Sequence, residues 1–320
     1  MAQTKSFCIG IDLGGTNLKA ALLDRTCRII DKRVLSTASF RKKEHLIQAV
    51  AGSVDALLVT HKLTKNQVLG VGLGLPGPVD ADKGIVHFFP NIPGWKEVDL
   101  GRILHRRLGI PVFLDNDANL MSLAEYTLGA ARASRNAVCL TLGTGVGGGI
   151  IIEGRLYRGS GYAAGEIGHM PLNERGRSCN CGGSACLEAY VGNRRIMKEA
   201  LAGFGKKISL EELSRLAGAG NSRAVRIWAQ AGRRLGVVLS GVVNLLNPDI
   251  IVIGGGVANA GRVLFDAIRK TIAQRAMPVQ VKSLRVAKAK LGNDAGLIGA
   301  AILVQQNSSP TRNLRRSFTQ

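Results

Sequence analysis

Two stretches of this chain follow one plan, and the plan restricts the folds open to it. Residues 6–12 (SFCIGID) form a short apolar run, Gly14-Gly15-Thr16 breaks it, and NLKAALLD resumes with the alternation of a second strand. Later, NAVCLTLG at 136–143 is again an apolar run, TGVGGG a glycine turn and IIIEGRLY its partner strand. Strand, glycine turn, strand is a β-hairpin, and a tip of glycines can present backbone N–H groups to an anion. Each hairpin leads into further strands and helices, so the pattern predicts an α/β protein with two similar halves.

The intervening segments fit this plan. CRIIDKRVLS reads as a third strand, and a helix follows from about Lys42 to His61, with Leu46, Val50, Val54 and Leu57 on one stripe. QVLGVGLGLPGPVD is a buried strand that breaks at Pro76-Gly77-Pro78. Asp99 caps a helix through Leu108 whose Leu100, Ile103, Leu104 and Leu108 share a face. PVFLDND is another strand, and it delivers Asn116 and Asp117 at its carboxyl end, where open α/β sheets place ligands. Helices are expected at 193–203, 209–217 and 222–246. DIIVIGGG is then a strand entering a turn at Gly254-Gly255-Gly256, GRVLFDAIRKTIAQRA a helix and SLRVAKA a strand. Asp294 caps a last helix, and the basic tail beyond it frays. The expected division is a small domain of 1–117 completed by 294–320, and a large one of 118–293.

At 320 residues the chain can bury two cores. No apolar run approaches the ~20 residues that span a bilayer, and the start MAQTKSFCIG has no signal-peptide core, so a cytoplasmic location is expected. Cysteines there stay reduced: Cys8, Cys27 and Cys139 read as buried thiols. Cys179, Cys181 and Cys186 do not. With His169 ten residues upstream they offer three sulfurs and one nitrogen, the set that structural zinc takes in a closed tetrahedron.

G-x-G-x-x-G occurs at Gly72/Gly74/Gly77 and at Gly143/Gly145/Gly148. A dinucleotide site needs that motif between a strand and a helix. The first copy runs into Pro76 and the second into β-rich GIIIEG, so nicotinamide chemistry is excluded. The turn Gly254–Gly256 does lie between strand and helix, where backbone can approach a flat nucleoside.

The combination of DLGGT, AGEIGH at 164–169, C-x-C-G-x-x-x-C-x-E at 179–188 and the closing GNDAGLIGAA resembles the ROK family of sugar kinases and sugar-responsive repressors, and within it the bacterial ATP-dependent glucokinases. The resemblance implies an actin-like (ribonuclease H-like) ATPase fold, with two α/β domains flanking a nucleotide- and sugar-binding cleft. It implies that Asp117 is the base that takes the proton of a sugar hydroxyl, and that Asn116, Asp117, Glu166, His169 and Glu188 bind sugar. His169, Cys179, Cys181 and Cys186 become the zinc ligands. Asp12, Gly14, Gly15, Thr16 and Lys19 form the first phosphate site, with Asp12 near Mg2+. Gly143, Thr144 and Gly145 form the second, and Gly254, Gly255 and Gly256 the adenosine turn. A homodimer or homotetramer is also implied. The family usually has glycine where this chain has Ala185.

These residue types suit the chemistry. Phosphoryl transfer is mostly positioning and charge neutralisation, and a sugar hydroxyl needs one carboxylate to accept its proton. The expected activity is ATP-dependent phosphorylation of a hexose, most simply glucose, at its 6-hydroxyl. Mannose, fructose and N-acetylated hexosamines are alternatives. A regulator of this family would carry a helix-turn-helix ahead of the first phosphate motif, and only eleven residues precede Asp12. The 43 basic against 22 acidic side chains give a net +21, but the excess is spread and no nucleic-acid motif accompanies it. Neither nucleic acid nor membrane is an expected partner, and the charge draws anionic ATP.

Overall fold

The computed structural model describes residues 5–40, 42–89 and 95–308. The tail carrying Arg312, Arg315 and Arg316 lies outside them. The chain opens with β1 (Phe7–Leu13), β2 (Asn17–Asp24), β3 (Ile29–Ser36) and α1 (Lys43–Thr60). Next come β4 (Val68–Leu75), β5 (Val79–Asp80), β6 (Ile85–Phe88), β7 (Lys96–Asp99), α2 (Leu100–Leu108), β8 (Val112–Asn116) and α3 (Asp117–Thr127). The second hairpin is β9 (Ala137–Leu142) with β10 (Val146–Ile152), extended by β11 (Arg155–Tyr157). A helical stretch follows: α4 (Glu188–Val191), α5 (Asn193–Phe204), α6 (Leu210–Gly218) and α7 (Ser222–Leu246). β12 (Ile250–Gly254), α8 (Arg262–Arg275), α9 (Pro278–Val281), β13 (Arg285–Lys288) and α10 (Ala295–Ser308) complete the fold. Among the described residues no helix is long and apolar enough to cross a membrane.

Two units result. The first runs to Ala124, takes in Arg158–Ala164 and resumes at Asn293; the second comprises Glu125–Tyr157 and Gly165–Gly292. Their main sheets have the same order, β3-β2-β1-β4-β8 in one and β11-β10-β9-β12-β13 in the other. In each, three strands form an antiparallel meander and two more add in parallel beside the first of them. This duplicated α/β plan is that of the actin-like ATPases. It answers the repeated strand–glycine–strand pattern.

The cores follow from strand and helix periodicity. β4 and β12 lie between parallel neighbours and are buried almost throughout, as expected of strands covered on both faces. In the second unit α7 buries Ala224, Ile227, Trp228, Ala231, Leu235, Val238, Leu239, Val242 and Val243 against that core. Asn221 caps it by accepting from the N–H groups of Arg223 and Ala224.

In the first unit α10 lies on β1 and β4 at backbone distance. A Cβ at Gly10 would collide with the Leu297 carbonyl, and one at Gly72 with that of Ala300. Glycine in these strands therefore sets how closely the last helix can seat.

Three local expectations need correction. Asp117 does not end a strand; it opens α3, an element the pattern did not reveal. The turn of the second hairpin is shorter than TGVGGG, because Gly147–Gly149 already pair within β10. Ile103 is 39% exposed: the buried ridge of α2 is Leu100, Leu104 and Leu108, four residues apart, and Ile103 falls beside it. Neither G-x-G-x-x-G copy opens a helix, as expected.

The α10 contact makes a direct prediction. Gly72→Ala places a methyl group into a backbone carbonyl that cannot rotate away, and overpacking of this kind costs about 1–3 kcal/mol. The thermal midpoint should fall by several degrees. An unchanged midpoint would contradict the close seating of α10.

Candidate active site and metal centre

β8 runs into α3 without a linker, and Asn116 makes this possible. Its Oδ1 accepts from the N–H groups of Ala118 (2.9 Å) and Asn119 (3.2 Å), so the last strand residue is also the cap of the helix. Its Nδ2 donates to the Gly77 carbonyl at 3.1 Å, in the break between β4 and β5. Asp117 is partly buried in the first helical turn, and its Oδ1 accepts from Ala118 N–H at 2.8 Å. Backbone dipoles at that end of a helix favour negative charge.

Behind this pair sits Asp115, only 1% exposed. Its Oδ2 accepts from Arg158 Nε (2.9 Å) and Nη2 (2.6 Å), and its Oδ1 from Asn119 Nδ2 (2.9 Å) and Asn116 N–H (2.8 Å). Four donors on one buried carboxylate fix the strand end that carries Asp117. The same segment as Arg158 is tied down again where Tyr162 donates to Asp82 Oδ2 at 2.6 Å. Neither Asp115 nor Arg158 was identified as a site residue from sequence. They are 43 positions apart, and no spacing rule links them.

The first glycine turn keeps part of its hydrogen-bonding capacity for itself, since Gly14 N–H donates to the Asn17 carbonyl at 2.9 Å. Asp12 precedes it, with Lys19 Nζ 3.3 Å from Oδ2 and also donating to the Asn293 carbonyl at 2.9 Å. Burial holds the Asp12 carboxyl above the ordinary range, Lys19 opposes this, and nearby Asp294 adds to it. Asp294 precedes α10 and pairs with Lys32 at 2.8 Å. In the second turn Gly143 N–H closes on the Gly145 carbonyl at 2.9 Å. Glu188, the first residue of α4, accepts from Val146 N–H at 2.9 Å through Oε2. That oxygen lies 2.6 Å from where a Cβ at Gly145 would sit, so a side chain there would push the carboxylate aside. The turn at Gly254–Gly256 follows β12, with Gly255 left-handed at φ 82°.

The four metal-ligand candidates converge in the second unit. The ring nitrogen or sulfur that each offers lies within 4.8 Å of the other three. Cys179 Sγ is 3.7 Å from His169 Nδ1, and Cys181 Sγ is 3.7 Å from Cys186 Sγ. Metal–sulfur bonds of ~2.3 Å give a tetrahedron with edges of roughly 3.8 Å, so the cage fits a zinc-sized ion. His169 turns its other nitrogen, Nε2, to Glu166 Oε2 at 3.8 Å. The Glu166 side chain is 49% exposed, yet partial desolvation raises its pKa, His169 counters, and Glu188 adds to the rise.

Ala185 is buried in this loop with φ 59°, the left-handed conformation that glycine would adopt more easily. The strain is about 1–2 kcal/mol. Glycine in its place would cost about 0.4–1 kcal/mol in chain entropy and a further ~0.8 kcal/mol of methyl burial. These terms nearly cancel, and the ladder bonds Ala185 N–H to Arg177 O (2.7 Å) and Leu172 N–H to Ala185 O (2.8 Å) persist. Alanine is tolerated here.

Removing one partner of a buried ion pair typically costs ~3–5 kcal/mol. Arg158→Leu should therefore lower stability by about 3 kcal/mol in urea unfolding, and Asp115→Asn added to it should restore part of the loss. Equal unfolding midpoints for Arg158→Leu and the wild type would contradict a structural role for the pair.

The comparisons agree with this architecture. The family model described as "ROK family" matches residues 8–307. A glucokinase from Thermotoga maritima is 35% identical over 93% of this chain and 97% of that protein. Among solved structures, a ROK hexokinase from Thermus thermophilus superposes with a TM-score of 0.78 at 35% identity, covering 94% of this chain and 98% of that one. A ROK glucokinase from Streptomyces griseus in complex with glucose and AMPPNP gives 0.80 at 32%, covering 94% and 99%. A putative xylose repressor from Caldicellulosiruptor matches at 29% over 92% of this chain and 77% of its own length. The match runs from the first hairpin to the last helix and takes in the glycine turns, the cysteine loop and the Asn116-Asp117 pair: the chain belongs to the ROK family.

Proposed function

We propose that this chain transfers the γ-phosphoryl group of ATP to the 6-hydroxyl of a hexose, with glucose the first substrate to test. The observation that carries the reading is Asp117, a carboxylate in the first turn of α3, directly after the strand end that the buried Asp115 network fixes. As the hydroxyl oxygen bonds to the γ-phosphorus, Asp117 takes its proton, and the bond to the bridging oxygen breaks to release ADP. Glucose stands first because relatives matched nearly end to end are glucokinases.

The remaining roles divide by what each side chain has left to offer. Asn116 has its oxygen committed to α3 and one amide proton to Gly77, so its second amide proton serves the sugar. Glu188 holds Val146 through Oε2 and would turn Oε1 to a hydroxyl. Glu166 and His169 Nε2 complete the set of sugar ligands. Residues Gly15-Thr16 and Thr144-Gly145 supply N–H groups to the phosphates, Asp12 and Lys19 flank the first turn, and Asp12 would hold Mg2+. Zinc on His169 Nδ1 and the three cysteines would be structural, since four protein ligands leave no open position. Thiolate ligands suit a reducing cytoplasm.

Two experiments test these roles. Asp117→Asn keeps the shape and removes the proton acceptor, so turnover measured by ADP release should fall about 10²–10⁴-fold. Calorimetric sugar binding should change far less. Glu188→Gln should weaken binding and turnover together. If Asp117→Asn kept a tenth of the wild-type rate, the base would lie elsewhere, with Glu166 the first alternative. For the metal, elemental analysis should find about one zinc per chain, and Cys181→Ser should lose both zinc and sugar binding. Full activity in metal-free protein would overturn that assignment.

A further inference from the structure

The second phosphate turn and the adenosine turn meet inside the second unit. Gly255 lies so close to the Leu142 carbonyl that no side chain could stand there. On the other flank of the same turn, Asn193 N–H donates to the Gly143 carbonyl at 2.9 Å. Asn193 opens α5, and its Nδ2 is the one atom within 4 Å of where a Cβ at Gly256 would be. Asn193 thus hydrogen-bonds one glycine turn and stands beside the other.

Its amide oxygen is the anomaly. Asn193 Oδ1 is buried and has no hydrogen-bond partner among the described residues. Helix capping does not account for the side chain: the cap position of α5 is Gly192, and no side-chain bond is made there. A buried acceptor left unpaired costs free energy unless a ligand supplies the donor. Phosphate oxygens only accept. The donors that a nucleoside carries are its ribose hydroxyls and the exocyclic amine of its base.

We propose that Asn193 is a nucleoside-contacting residue whose side-chain oxygen accepts a hydrogen bond from a ribose hydroxyl or from the exocyclic amine of the bound ATP. The inference rests on the kinase reading for the identity of the ligand, and it adds a contact that no glycine motif signals. The group is held in reserve, so its removal should act in opposite directions on the empty and the loaded protein.

The test is Asn193→Ala, examined first without nucleotide. A residue kept for a ligand predicts a thermal midpoint equal to or above that of the wild type, because the substitution removes an unsatisfied buried acceptor. The dissociation constant of ATP by calorimetry, and KM for ATP, should rise roughly three- to tenfold, as loss of one hydrogen bond implies. KM for the hexose should stay unchanged. Comparing wild type and variant with 2′-deoxy-ATP, 3′-deoxy-ATP and the 6-deamino analogue identifies the donor, since the penalty vanishes with the analogue that lacks it. A penalty surviving all three analogues overturns the inference, and so does an unchanged affinity for ATP. Failure of the kinase reading looks different: wild-type protein would bind ATP and phosphorylate no hexose, while the Asn193 effect on ATP binding would remain.

Discussion

The buried carboxylate of Asp115 is the constraint on which the first unit's chemistry depends. An ionised group that is 1% exposed needs its charge matched and its lone pairs filled, and here Arg158, Asn119 and the Asn116 N–H do both. The consequence is local precision. β8 must end where Asp115 can meet Arg158, α3 must begin where Asn116 can cap it, and Asp117 inherits its place from both. A mobile loop would leave Asp117, the proposed general base, free to wander, and small misplacements of a reacting group are expensive.

The second unit solves its positioning problem with a metal-sized cage and a shared carboxylate. Convergence of His169 Nδ1 with three sulfurs orients the imidazole, so that Nε2 faces Glu166. The chain segment then continues from Cys186 into Glu188, whose Oε2 reaches back to Val146 beside the glycine turn. The cysteine loop, Glu188 and the turn at Gly143–Gly145 are in this way mechanically one piece, and loss of the cage should be felt at all three.

Much of this was legible in the sequence because period and spacing are local properties. The two hairpins, the long helix α7 and the His169–Cys186 ligand set all announce themselves within a few residues of chain. What escaped involves residues with two jobs or partners far away. α3 was hidden because Asn116 is both strand end and helix cap, with no turn residue between. Gly147–Gly149 looked like a turn, yet Gly148 is a strand residue kept bare by the Gly165 carbonyl packed on it. The Asp115–Arg158 pair joins positions with nothing but the fold in common. Ala185 is the intermediate case: a position where relatives carry glycine proves left-handed, and its costs nearly balance.

The central claim is transfer to a specific oxygen, and 6-deoxyglucose isolates it. Glucose and 6-deoxyglucose offer the same ring hydroxyls, but only glucose carries the oxygen that Asp117 would deprotonate in the proposed reaction. The most direct measurement is ADP release with each sugar at saturation, together with phosphorus NMR of the product. The account predicts that glucose yields one equivalent of hexose 6-phosphate per ADP. It also predicts that 6-deoxyglucose binds competitively and releases ADP no faster than the sugar-free background. Phosphorylated 6-deoxyglucose, or no sugar-dependent ADP release with any hexose, would contradict it.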